Sequence, residues 1–125
     1  MIRGSEELDA AFLTLAKDRP NALIAQPSLP VKRVAALALK YQIPAVSPFR
    51  PFVEEGGLMS YWVDETSQYR QTAAIVDKVL KGAKPADLPI EQPIKFELVI
   101  NMKTAKALGL TIPQSLLLRA DEIIQ

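Results

Sequence analysis

The sequence predicts an α/β fold, a parallel sheet in a three-layer lobe with helices on either side. Two observations predict it. Residues 22–26 (ALIAQ) and 43–47 (IPAVS) are short continuous apolar runs, the pattern of strands buried on both faces. Stretches carrying a helical apolar stripe precede and separate these runs. Helix, strand, helix, strand at this spacing is the signature of βαβ units.

Taken in order, residues 5–18 (SEELDAAFLTLAKD) predict a helix. Ser5 can cap it, Glu6 and Glu7 suit the positive end of its dipole, and Leu8, Ala11, Phe12 and Leu15 form one stripe. After the 22–26 strand and a PSLP turn, Val31, Val34, Ala35 and Ala38 resume a helical stripe. The 43–47 strand follows. Residues 48–57 (PFRPFVEEGG) break the rhythm with prolines and glycines and predict a loop, with one helical turn at 53–55. Residues 58–62 (LMSYW) read as a third strand. Residues 64–82 give the clearest helix: Asp64 caps it, Tyr69, Ala73, Val76 and Leu80 share a face, Lys78 and Lys81 sit at its negative end, and Gly82 closes it.

Residues 83–93 are too rich in proline for a helix and read as an extended connector. In 95–101, Phe96, Leu98 and Ile100 alternate with Glu97 and Asn101, the period of a half-buried strand. Asn101 then caps a short helix that Gly109 ends. The last element predicted is a terminal helix over 115–124. No internal repeat is visible.

Composition narrows the function classes. The 125 residues suit one α/β domain spanning 1–125, and 15 basic against 14 acidic residues offer no basic footprint for nucleic acid. There is no cysteine and no histidine. Disulfides, thiolate metal sites, cysteine nucleophiles and histidine-based triads therefore cannot be built. The first twelve residues lack the apolar core of a signal peptide, and no run approaches a membrane span. Phosphate-binding glycine motifs and the G-x-S-x-G elbow are absent. The carboxylate pairs Glu6–Glu7, Glu54–Glu55 and Asp64–Glu65 read as helix-start or surface charges. No catalytic residue, metal ligand or cofactor is expected.

In open α/β sheets, ligands bind at the carboxyl ends of the strands. Those ends carry Gln26, Pro27 and Ser28; Ser47, Pro48 and Phe49; and Ser60, Tyr61, Trp62 and Asp64. From them, Gln26, Ser28, Ser47, Phe49, Tyr61, Trp62 and Asp64 are the candidate ligand-binding residues. They are mostly neutral hydrogen-bonding groups and aromatics, suited to holding a small polar or aromatic molecule without transforming it.

From residue 56 onward the segments GGLMSY, LKGAKPADLP, KFELVIN and KTAKALGL resemble the C-terminal part of ABC-transporter substrate-binding proteins of the tryptophan- and tyrosine-uptake type. LDAAF, ALIAQP, IPA and FRPFVE match more loosely, so the resemblance covers nearly the whole chain. SYW stands where the family commonly has SYG.

The resemblance implies a type 1 periplasmic-binding fold of two α/β lobes gripping a ligand, here as a truncated C-terminal lobe. By it, the 95–101 strand returns to the second lobe, and helix 64–81 would pack on a first lobe this chain lacks. It also implies an ABC importer for a small solute such as an amino acid, with solute and permease as partners and a periplasmic location. Without a signal peptide, the chain would be cytoplasmic if Met1 is its natural start. Deprived of its neighbour, helix 64–81 would make a homodimer. The alternative is a self-associating interaction domain that binds no ligand. A cytoplasmic sensor lobe lacks the DNA-binding helices it would need.

Overall fold

A computed structural model describes residues 5–125, with side chains from Glu7 onward. The expected roles of Ser5 and Glu6 at the first helix lie outside the described side chains. The chain divides into two compact units, residues up to 61 with 98–125, and residues 62–97.

The first unit opens with helix α1 (Ser5–Asp18), strand β1 (Leu23–Ile24), helix α2 (Val31–Lys40) and strand β2 (Ala45–Ser47). The stripe of α2 lies inward as its periodicity demands, with Val34, Ala35, Leu37 and Ala38 all buried. They join Leu8 and Phe12 of α1, Ala25, Ala45 and Phe52 in one core cluster. Two exposed groups tie α1 to α2, Arg33 donating to both carboxylate oxygens of Asp9 at 2.9 and 2.6 Å. Such a surface pair contributes only about 0–1 kcal/mol, so apolar burial carries this layer.

Residues 48–57 differ from the expected loop. Helix α3 runs from Arg50 to Glu54, starting three residues earlier than the predicted turn, because Pro51 is tolerated in a first helical turn and Phe52 and Val53 bury completely. Of the two glycines that follow, Gly56 sits at φ 98°, and Gly57 has a steric cause. A Cβ on Gly57 would lie 2.2 Å from two ring carbons of Phe52 and 2.7 Å from its carbonyl oxygen.

The sheet is completed by β3 (Met59–Val63), β4 (Phe96–Asn101) and β5 (Glu122–Ile124), in the spatial order β1-β2-β3-β4-β5. Pairs β1–β2, β2–β3 and β4–β5 are parallel. The β3–β4 pair is the exception. Asn101 N–H donates to Leu58 C=O and Asp64 N–H to Lys95 C=O, so numbers rise on one strand as they fall on the other. The protein is thus an α/β fold with a mostly parallel sheet flanked by helices. Leu98, Val99 and Ile100 are buried in succession, so β4 is covered on both faces.

Helix α5 (Met102–Ala107) starts where the sequence places it. Asn101 Oδ1 accepts from Thr104 N–H at 3.0 Å, while its Nδ2 donates to Val53 C=O at 3.2 Å. Thr104 Oγ1 donates to Gly56 C=O at 2.9 Å. This buried set stitches the glycine turn to the β4–α5 junction.

The terminal helix over 115–124 is not formed. Helix α6 spans only Gln114–Leu117, and β5 follows. Asp121 ends the helical option, its N–H donating to Leu98 C=O at 2.9 Å and its carboxylate accepting from Leu98 N–H at 2.8 Å. The β-branched pair Ile123–Ile124 then lies along β4 in register with Ile100 and Asn101.

The second unit consists of helix α4 (Glu65–Leu80), a 3-10 turn at Pro85–Asp87 and the extended connector. Asp64 caps α4, accepting from Ser67 N–H at 2.7 Å, and Gly82 at φ 100° follows its end. No residue of α4 is buried. Its apolar members face solvent, with Tyr69 at 71% and Leu80 at 82% exposure.

Candidate functional site

The carboxyl ends of β1 and β2 meet the stretch Ser60–Tyr61 of β3 along one edge of the first unit's sheet. Ala25 N–H donates to Val46 C=O at 2.8 Å, and Ser47 is in register with Ser60. This brings Gln26, Ser47, Phe49 and Tyr61 to one crest. Gln26 is exposed, and its carbonyl accepts from Leu29 N–H at 3.1 Å, closing the turn before α2; exposed Ser28 lies inside that turn. Ser47 is buried, its Oγ accepting from Phe49 N–H at 3.2 Å. That bond turns the chain from β2 into α3, for which half-buried Phe49 is the N-cap residue.

The crest residues do not all share a face. Side chains alternate along a strand, so Ser60 projects with Ser47, and exposed Tyr61 takes the opposite face. Ser60 lies outside the set the sequence singles out, because only the pairing register reveals that it stands beside Ser47.

Trp62 and Asp64 belong to the second unit. Trp62 is half-exposed, at 53%. The Asp64 carboxylate is occupied as the cap of α4, with Lys95 Nζ 3.6 Å away. Hydrogen bonds from Ser67, aided by the Lys95 charge, hold its carboxyl below the ordinary value of 3.8, against a smaller desolvation effect. The same unit holds an open groove of about 510 Å³ lined by Val63, Ser67, Gln71, Glu91, Ile94 and Lys95. Gln71 donates to Glu91 across 2.6 Å there. Apart from these two, every predicted site residue lies in the first unit, and none of the seven lines this groove.

Chemically, the crest offers hydroxyls, an amide and aromatic rings. These can hold a polar or aromatic molecule by hydrogen bonds and stacking. Among the described residues no group of three Asp, Glu, His or Cys is placed to hold a metal ion, and no helix is long and apolar enough to cross a membrane.

This architecture recurs in solved structures. A conserved domain protein from Vibrio cholerae O1 biovar El Tor superposes with a TM-score of 0.82 at 26% identity, over 95% of this chain and 41% of that one. An ABC domain in complex with L-Trp from Streptococcus pneumoniae gives 0.81 at 28% identity, over 98% and 44%. The ligand-free, open form of a substrate-binding protein with adhesive properties from Clostridium difficile shares the fold, with a TM-score of 0.73 at 20% identity over 99% and 42%. The chain therefore spans about two fifths of the length of these structures. No curated protein sequence matches it. The family model described as ABC transporter substrate binding protein matches residues 1–124. With crest, fold and family model in agreement, the chain belongs to the ABC transporter substrate-binding protein family.

Proposed function

We propose that the chain supplies one side of the solute site in a substrate-binding component of an ABC importer, and that the solute is a small molecule of the amino-acid class. The observation that carries this reading is the crest itself. Neutral hydrogen-bonding groups and aromatics gather at the carboxyl edge of an α/β sheet, in a chain whose family binds solutes and whose relative from S. pneumoniae holds L-Trp. Ser47, Gln26 and Phe49 are the contacts nearest that edge, with Ser28, Tyr61, Trp62 and Asp64 as further candidates. The role is binding without turnover, followed by closure of a second lobe and presentation to a permease at the outer face of the membrane.

A site closed from two sides leaves much of its ligand in water when only one side is present. Affinity of this chain alone is therefore expected to be weak. Thermal shift with the common amino acids, simple sugars and short peptides at tens of millimolar tests the reading. A rise for amino acids and none for sugars is expected. A flat response to every class would remove the solute reading and leave a self-associating domain without ligand.

Helix α4 supports a further part of the proposal. Its exposed Tyr69, Val76 and Leu80 form an apolar stripe of the kind that marks an interface. In this chain alone we expect a second copy to cover it, giving a homodimer through 64–81. Sedimentation at tens of micromolar decides this; a monomer there excludes it.

A further inference from the structure

Ser60 is 3% exposed and Ser47 2%, and the parallel β2–β3 register sets them side by side. Adjacent strands lie about 4.8 Å apart, so the two side chains leave the same face one strand spacing from each other. Ser47 Oγ accepts from Phe49 N–H, which leaves its own proton free to donate. Among the described residues the Ser60 hydroxyl has no hydrogen-bond partner. Among the described residues no fully buried side-chain oxygen or nitrogen lacks a partner. The small residual exposure of Ser60 therefore includes its hydroxyl oxygen.

Packing does not explain this pair. Ala45 on β2 and Leu58 just before β3 are both buried as apolar residues, and an unpaired hydroxyl in such surroundings is unfavourable relative to alanine. Two hydroxyl protons remain unspent beside each other, at the edge where the fold presents ligands. We infer that Ser47 and Ser60 form the acceptor-reading element of the solute site, both donating to the oxygens of a solute carboxylate. This inference rests on the solute-binding reading and adds Ser60 to it.

The test uses the 15N-labelled chain, titrated with L-tryptophan, indole-3-propionate and tryptamine up to tens of millimolar. The first two carry a carboxylate, and the third lacks it. The expected result is movement of the Ser60 and Phe49 amide signals with the first two alone. Ser60→Ala should weaken the response to L-tryptophan about tenfold, as expected for losing one hydrogen bond to a charged group. Equal movement with all three compounds, or an unchanged affinity in Ser60→Ala, overturns the carboxylate assignment. Movement confined to other crest residues refutes this pair and leaves the solute reading intact. No movement anywhere refutes both. Should Ser60→Ala not fold, the comparison of the three compounds on the unaltered chain still decides.

Discussion

The two units handle their apolar side chains in opposite ways. In the first, Leu8, Phe12, Phe52, Val99 and Ile100 are all but inaccessible to water. In the second, Tyr69 and Leu80 are mostly exposed, and Ile90 and Ile94 almost fully so. Both units contain amphipathic helices of ordinary character. The first satisfies their stripes within its own residues; the second holds α4 by local chemistry, the Asp64 cap, the Asp77–Lys81 pair at 2.8 Å and the Gly82 stop. An amphipathic pattern thus states that a face is to be covered, and leaves open by which chain. Beyond that local chemistry, α4 has the Gln71–Glu91 bond and no buried residue, and a helix without a buried face is marginal in water, so α4 gains most from a partner.

The largest expected effect breaks the first unit. Phe52→Ala removes a ring with no exposure and should destabilise by about 3–5 kcal/mol, whereas Tyr69→Ala on α4 should stay within about 0.5 kcal/mol in the dissociated chain. Denaturant titration of both variants measures the contrast, and equal losses would show that the stripe of α4 is covered inside one chain. Next comes association. Burying each large side chain of α4 contributes roughly 1.5–3 kcal/mol, so Val76→Glu with Leu80→Glu should convert a dimer to a monomer at unchanged helicity. Light scattering reads the mass, and an unchanged mass excludes this interface.

A smaller effect concerns pH. The carboxyl of Asp64 sits below its ordinary value when folded, so its contribution to α4 is present above that ordinary value and disappears as pH falls through the lowered one. The Ser67 amide should follow this titration by NMR, and Asp64→Asn, which keeps a capping oxygen, should abolish the dependence. A midpoint at or above 3.8 would contradict it. The smallest effect belongs to the surface of the first unit. Arg50 bonds Glu122 at 2.6 Å and Glu54 at 2.9 Å, all partly exposed. Glu122→Gln should cost at most about 1 kcal/mol by thermal unfolding.

Local signals in the sequence were read well where one side chain decides the outcome. Asn101 before a short helix and Asp64 before a long one are both caps, each accepting from the amide three residues on. The misread segments depend on distant partners. Leu116, Leu117 and Leu118 suggest a continuing helix, yet Asp121 and the Ile123–Ile124 pair commit the chain to β4, a strand more than twenty residues away. The β-branched isoleucines were the available signal. The early start of α3 depends on Phe52 and Val53 finding the core, which no local pattern states. For the candidate residues, position near the strand ends is legible because strand ends follow from strand positions. The pairing of Ser60 with Ser47 was not, since register is a relation between strands.

The antiparallel sense of β3 and β4 has a consequence for how the chain can be cut. Leu58 and Asn101 are bonded neighbours, so the strands that leave and re-enter the first unit already stand side by side. Topologically the whole excursion 62–97 is an insertion at the tip of a hairpin, and a tight Asn-Gly turn can take its place without rerouting the sheet. The shortened protein would keep the buried residues of both core clusters and lose the apolar stripe of α4. It should unfold cooperatively as a monomer; aggregation or a molten ensemble would show that the inserted segment lends stability to the unit it interrupts.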